Sequence, residues 1–396
     1  MNRTKINILA YLSVTYEKNW YRDLFKALVE SDPDVMVFAI ERPLTLMGAL
    51  LSLGRKAMRP AEKDTSIKNF KPLSIVHERI AYVIRPLAWL NRIVIEWQVR
   101  RVLKAYGDLN KINVSWIFHP YQLPYIDYLN PKVTIYHVYD DYHCQSRDLG
   151  AILKLESSIL SRVDILYLIS KLLLSRYSPV HNNIRLMSNG VSEKFLKKTC
   201  HDHIPSQLLK SKKPRICSWG YISERLDFDL ILNLARMNPR WSFVFIGECA
   251  RSSQMKWKGI LKICPNINHI EEIDWDNLPA YLNAMDIMFI PHIINDFNAA
   301  SSPVRLIEAL MTGKPLITPN LPYGDDYKNV IYFAETPEQY SAVINRIIKH
   351  GEDPAFADQR VQYAKEQSWE NKAKLIKEDI INCLFRKAER SMAGNG

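Results

Sequence analysis

Short apolar runs alternate with amphipathic stretches along almost the whole chain. INILAYL, DVMVFAI, VSWIFH, VTIYHVY, DILYLIS and NIRLMSNGV are brief and rich in β-branched and aromatic residues in the first half, which predicts strands buried on both faces. Between them NWYRDLFKALVE, LGAILKLESSILSRV and KLLLSRY carry apolar residues at helical spacing. After residue 213 the alternation resumes with RICSWG, the helical LDFDLILNLARM, WSFVFIG, NHIEEI, NLPAYLNAM, DIMFIPH, PLITP, VIYFA and PEQYSAVINRIIKH. Strand and helix in regular succession predict an α/β architecture of parallel sheets.

At 396 residues the chain exceeds one ordinary core, so two domains are expected. The polar segment 197–213, KKTCHDHIPSQLLKSKK, lacks a sustained apolar pattern and reads as a linker. It separates a domain of residues 1–196 from one of 214–370, with 371–396 left as a closing helix and tail. Ligands of such sheets bind outside the carboxyl ends of the strands, and two domains predict a cleft between them.

Hydrophobic residues make up 47% and charged residues 24%, the balance of a globular protein. The opening MNRTKINILAYLSVTYE is basic at its start, but Tyr11, Ser13 and Thr15 break the apolar run; a first buried strand fits better than a signal peptide. No stretch reaches the roughly 18 apolar residues of a membrane span. Six cysteines at 144, 200, 217, 249, 264 and 383 form no C-x-x-C pair and no zinc spacing, so a reducing cytosol is the expected setting and no metal is expected.

The net charge of +11 changes the picture through its placement. Between Arg42 and Asn113 stand 14 Lys or Arg against 5 Asp or Glu. In the segment 79–104, Leu87, Leu90, Val94 and Trp97 recur at helical spacing, with Arg85, Arg92, Arg100, Arg101 and Lys104 alongside Trp89 and Trp97. Two readings stay open: a basic amphipathic helix at an anionic membrane surface, or a core helix with snorkelling arginines. Nucleic acid is not expected as a partner, since no RNA-binding signature, zinc finger or basic low-complexity tail accompanies the charge.

The densest candidate chemistry lies in SSPVRLIEALMTGKPLITPN, 301–320. Ser302 as N-cap and Pro303 as first helical residue predict a helix to Thr312, stopped by Gly313. Its amino end favours anions, with Ser301 and Ser302 as hydroxyl donors. Arg305 and Glu308 share one stripe, as a ligand clamp or as an ordinary solvated ion pair, while Val304, Ile307 and Met311 anchor another side.

These residues carry a resemblance to the GT-B glycosyltransferases, a fold of two Rossmann-like domains. Glu308 followed by Gly313, Lys314, Pro315 and Leu316 is similar to the pattern of retaining family 4 enzymes, in which the Glu contacts the donor ribose. Ile290, Pro291, Asn295, Ser301, Pro303, Val304, Arg305, Glu308 and Leu310 match more closely the bacterial glycosyltransferases that resemble the teichuronic acid biosynthesis enzyme, with Arg305 in place of the usual Lys. Asn189, Gly190 and Val191 resemble the N-G-V of family 4, with Ser192 for the usual Asp, and Ser368, Trp369 and Glu370 resemble the opening of the final helix that returns to the first domain. Ala300 departs from the retaining pattern, which has a second Glu there.

The resemblance implies a nucleotide-diphosphate sugar donor linked to UDP, GDP or dTDP, bound as a substrate with no separate cofactor. Gly220, Tyr221, Ile273, Asn295, Ser301, Ser302, Arg305 and Glu308 become its expected contacts, with Arg225 adding charge and the backbone of Glu272, Ile273 and Asp274 reading the base. Asp140 matches the position of the base in the more distant xanthan glucuronosyltransferase, and an inverting transferase needs one carboxylate to take the acceptor's proton. An Asx turn, a helix cap or a metal pair with Asp141 remain alternatives at that strand end. His119 and Asp141 are acceptor-side candidates. The expected function is sugar transfer to a lipid-linked or other glycan acceptor during bacterial surface polysaccharide assembly, peripheral to the inner membrane face. A 2-epimerase on the same fold and a non-catalytic membrane or polyanion module are the alternatives.

Overall fold

The computed structural model describes residues 5–17, 19, 21–51, 66–107, 111–146, 148–192, 195, 204–271 and 273–393. The chain divides into two units, Met1–Met187 with Trp369–Gly396, and Ser188–Ser368. The first unit thus ends nine residues before the expected boundary at 196.

In the first unit seven parallel strands stand in the order β4-β2-β1-β6-β7-β8-β9. They are β1 (Ile6–Tyr11), β2 (Val35–Ile40), β4 (Ile67–Phe70), β6 (Ile112–Ile117), β7 (Val133–Val138), β8 (Ile165–Leu168) and β9 (Ile184–Leu186); β3 (Leu44–Thr45) and β5 (Leu73–Ser74) pair separately. All six residues of β1 and of β7 are buried, because helices cover a parallel sheet on both sides. The closing helix Trp369–Ala393 inserts Trp369, Ala373, Ile376 and Ile380 into the same core as Leu24, Phe25 and Leu28 of the first helix. Chain order reverses between β1 and β6, which opens a ligand-binding crevice at the carboxyl ends of those neighbours.

The second unit repeats the plan with six parallel strands ordered β12-β11-β10-β13-β14-β15. These are β10 (Arg215–Trp219), β11 (Ser242–Ile246), β12 (Ile267–Ile270), β13 (Ile287–Phe289), β14 (Leu316–Thr318) and β15 (Tyr332–Phe333). Here the reversal falls between β10 and β13. Both units are Rossmann-like, and the fold is GT-B.

Four sequence expectations need correction. The described part of the linker is built into the second unit: Leu208 is fully buried, and the Asn268 side-chain amide donates to Gln207 O and Ser211 Oγ, both at 3.1 Å. Residues 196–203 lie outside the described residues. The basic helix Arg85–Tyr106 buries Asn91, Ile95, Val99 and Leu103 rather than Leu87, Leu90, Val94 and Trp97, because Asn91 Oδ1 must accept the backbone N–H groups of Ile75 and Val76. The helix after Ser302 spans Val304–Met311 with Pro303 as its N-cap. Two helices, Gln254–Ile263 and Pro354–Glu366, stand where the apolar pattern predicted none; the second buries the charged Arg360 instead of an apolar stripe.

Candidate functional site

The second unit gathers positive charge where β10 and β13 end. Gly220 follows β10 at φ +92°, and a Cβ there would lie 3.0 Å from an Arg305 guanidinium nitrogen. Gly247, after β11, is tighter still: a Cβ would stand 2.4 Å from Gly220 O. Two glycines therefore let the neighbouring loops close on each other and leave Arg305 against bare backbone. Arg305 comes from the first turn of the helix Val304–Met311, whose amino end carries the positive pole of the helix dipole.

The second cation, Arg225, is fixed by Asn298. Arg225 Nε donates to Asn298 Oδ1 at 2.9 Å, and Asn298 Nδ2 donates back to Arg225 O at 3.1 Å and to Ile293 O at 2.8 Å. Among the described residues no carboxylate lies within ion-pair distance of Arg305. Burial, then repulsion from Arg225, pushes its guanidinium down to about 10, against the opposing pull of Glu308 and Tyr323. Burial and the charges of Arg305 and Arg225 push the His292 imidazole well below its ordinary range; Tyr323 Oη lies 3.3 Å from His292 Nδ1. A site that raises the cost of the Arg305 charge and of protonating His292 is stabilised by a bound anion.

Glu308 is 1% exposed, and the Trp219 indole N–H donates to its Oε2 at 2.6 Å. That bond ties the carboxylate to the end of β10. The other expected contacts are arranged differently. Ser301 Oγ donates to Asn298 O at 2.7 Å, while Ser302 is no cap for the helix: its Oγ accepts the Asn189 backbone N–H at 3.2 Å and its carbonyl accepts Asn189 Nδ2 at 2.6 Å. Asn295 is exposed and caps the short helix Asp296–Ala299 by accepting Asn298 N–H at 2.8 Å. The Tyr221 side chain is 56% exposed. Ile273 packs against the second unit's core, and Glu272 lies outside the described residues. The sequence reading missed Gly247, His292 and Asn298.

In the first unit a cavity of about 90 Å³ opens at the ends of β1, β2 and β6, lined by Tyr11, Ser13, Glu41, Arg42, Glu78 and His119 among others. His119 Nδ1 accepts Tyr121 N–H at 3.2 Å, so the ring is oriented from its own loop. Asp140 follows β7, is half-buried, and its Oδ1 accepts the Asp141 N–H at 3.2 Å. Asp141 has another task. It is buried, caps the helix Tyr142–Gln145, and accepts Arg176 Nη1 at 2.8 Å and Nη2 at 2.9 Å. Burial pushes its carboxyl up, but the hydrogen bonds and charge of Arg176 outweigh that and hold it below the usual range. Asp141 is thereby removed from the acceptor-side candidates, and Asp140 stands on a turn that the Asp141–Arg176 pair fixes.

Known proteins share parts of this sequence and its fold. Residues 201–367 match the family model of glycosyl transferases group 1. The match is to a glycosyl transferase domain family. It covers nearly all of the second unit, including Gly220, Arg225, Arg305 and Glu308. A stretch of 171 residues is 26% identical to TuaH of Bacillus subtilis (strain 168), whose name provisionally makes it a teichuronic acid biosynthesis glycosyltransferase; the match covers 42% of this chain and 40% of that protein. The chain thus spans well under half the length of this curated relative. Over nearly the whole chain the fold is similar to sucrose-phosphate synthase from Thermosynechococcus elongatus, with a TM-score of 0.69 at 14% identity, covering 98% of this chain and 100% of that one. It is also similar to the Anabaena protein HepE in complex with UDP-glucose, with a TM-score of 0.67 at 10% identity, covering 95% and 99%.

Proposed function

We propose that the protein transfers a sugar from a nucleotide-diphosphate donor, bound in the second unit, to a hydroxyl of a lipid-linked glycan during surface polysaccharide assembly. The observation that carries this reading is Arg305 held against Gly220, with Arg225 beside it and no carboxylate paired to Arg305 among the described residues. That electropositive corner suits a leaving diphosphate, whose growing charge it would stabilise. Glu308, tied to Trp219, is suited to the donor ribose. A UDP-linked donor is favoured because HepE, similar in fold, binds UDP-glucose.

Asp140 supplies the base. The acceptor oxygen attacks the anomeric carbon and forms the new C–O bond; the bond from that carbon to phosphate oxygen breaks and its electron pair leaves with the diphosphate. The hydroxyl proton passes to Asp140, and the outcome is inversion. Ala300, buried in place of a second Glu, supports this assignment over a retaining one.

The helix Arg85–Tyr106 supports a peripheral station at the inner membrane face. Its outer side exposes Trp89 and Trp97, at 61% and 59%, with Leu90 and Ile93 between them, and Arg101 stacks over Trp97. Among the described residues no helix is long and apolar enough to cross a membrane. A thermal-shift panel of UDP-, GDP- and dTDP-sugars tests the reading: one nucleotide class raises the melting temperature, and a flat response to all of them contradicts it.

A further inference from the structure

Two residues beyond the Asp140–Asp141 turn, His143 reaches a buried carboxylate that the proposed reaction does not use. Glu156 lies on the helix Leu149–Leu160 and is 2% exposed. Its Oε1 accepts the hydroxyl of Tyr136, from β7, at 2.7 Å and that of Tyr177 at 2.8 Å, which is how a buried carboxylate is satisfied. Burial and then the charge of Glu156 push both hydroxyls up, so they stay protonated and keep donating. Its Oε2 lies 2.5 Å from His143 Nε2.

His143 joins this carboxylate to the Asp141–Arg176 pair. Its Nδ1 stands 3.4 Å from Arg176 Nη1, the nitrogen that also donates to Asp141 Oδ1. A guanidinium can only donate, so Nδ1 must accept, and the ring proton belongs on Nε2, facing Glu156. Only the neutral imidazole serves both neighbours. A second proton leaves the Glu156 contact in place but turns Nδ1 into a donor aimed at a donor, with like charges facing each other. The titratable groups about the ring are Glu156, then Arg176 and Tyr177 of the helix Lys171–Tyr177, and Asp141 and Cys144 of its own turn. Asp141 does not offset the clash, since Arg176 takes both its oxygens and the Cys144 thiol donates to Oδ2 at 3.3 Å.

We propose that His143 is a positioning residue for the base: as the neutral Nε2–H imidazole it braces Arg176 from Glu156, so that the guanidinium fork holds Asp141 and with it the turn of Asp140, and a second proton on the ring releases the brace. The proposal rests on the reading of Asp140 as the base of glycosyl transfer. Turnover then falls on the acid side with His143 and not with Asp140 alone, while donor binding in the second unit is untouched.

Transfer of radiolabelled sugar from a UDP-sugar to acceptor-bearing bacterial membranes, followed against pH, tests this with two variants. His143→Phe keeps a ring and deletes both contacts, so kcat should fall about 10- to 100-fold, the cost of a misplaced group, with the donor KM unchanged. His143→Gln keeps a donor for Glu156 and an acceptor for Arg176 but cannot titrate. It should hold kcat within about threefold of the parent at neutral pH and carry the acid-side fall to lower pH. A Gln variant as slow as the Phe variant, a Gln profile that superimposes on the parent's, or a folded and fully active Phe variant overturns the proposal. Should His143→Phe fail to fold, the Gln profile decides alone. Nitrogen-15 NMR on the full chain needs no turnover: at neutral pH His143 should carry its proton on Nε2, and the Arg176 guanidinium signal should shift in step as the ring takes its second proton. The opposite tautomer, or an Arg176 signal that ignores the titration, also overturns it. The expected spectra without any sugar transfer by the parent would uphold the brace and sink the transfer reading.

Discussion

Arg305→Met should separate the cost of the donor site from its use. The substitution keeps an unbranched stem of similar reach and deletes the guanidinium beside Gly220. Burial and the neighbouring Arg225 hold that charge where its proton affinity has fallen to about 10. At about 1.4 kcal/mol per tenfold the penalty is on the order of 3 kcal/mol; solvent access to this half-buried side chain trims it to about 1–2 kcal/mol. The sign follows from a cation whose folded value is depressed. Stability is lowered at all pH values well below 10 and is recovered only as pH rises through that value. At neutral pH the variant should therefore be as stable as the parent or more stable by about 1–2 kcal/mol in urea melts. Donor binding should move the other way. A charge-assisted hydrogen bond to phosphate contributes about 1.5–3 kcal/mol, so UDP affinity measured by calorimetry should fall about 10- to 100-fold. A variant that is destabilised yet binds UDP unchanged refutes the assignment, since Arg305 would then be structural.

Asp140→Asn should lower kcat by about 10²–10⁴ with donor affinity intact, whereas Asp141→Asn should act on folding, since weakening the bonds of this buried carboxylate to an exposed Arg176 costs about 1–3 kcal/mol; urea melts and initial rates on both variants distinguish the roles. Because Arg176 holds the Asp141 carboxyl below its usual range, the pair's stabilisation is present at neutral pH and lost as pH falls through the depressed value. Arg176→Gln should flatten that acid-side loss in melts recorded against pH. Replacing Trp89 and Trp97 together by Ser should cut sedimentation with anionic vesicles at least about tenfold without lowering the melting temperature, because both side chains are exposed. Gly247→Ala should lose donor binding and several degrees of melting temperature, as the new methyl meets Gly220 O at 2.4 Å in a backbone region that disfavours side chains.

The strands were legible because parallel strands buried on both faces read as unbroken apolar runs, as Ile6–Tyr11 and Val133–Val138 do. The helix Arg85–Tyr106 was legible as a helix but not in its orientation. Apolar residues occupy two of its faces, and the choice is made by Asn91 bonding to the loop at Ile75 and Val76, a contact no periodicity encodes. Arg360 illustrates the same limit: fully buried, it donates to Val330 O, Gly313 O and Glu352, so its helix lacks the apolar stripe that announces others. In the proposed donor site Arg305, Glu308 and Gly220 could be named from local pattern. Asn298 could not, since its partner Arg225 lies 73 residues away, and Ser302 was misread as a cap because Asn189, 113 residues earlier, claims its hydroxyl.

The central claim is group transfer from donor to acceptor, and its most direct measurement follows a radiolabelled UDP-sugar incubated with the protein and acceptor-bearing bacterial membranes. The account predicts label moving into the lipid-extractable fraction with equimolar release of UDP, and loss of both in Asp140→Asn. Donor isomerised in the absence of membranes, with no label transferred when they are present, would contradict it.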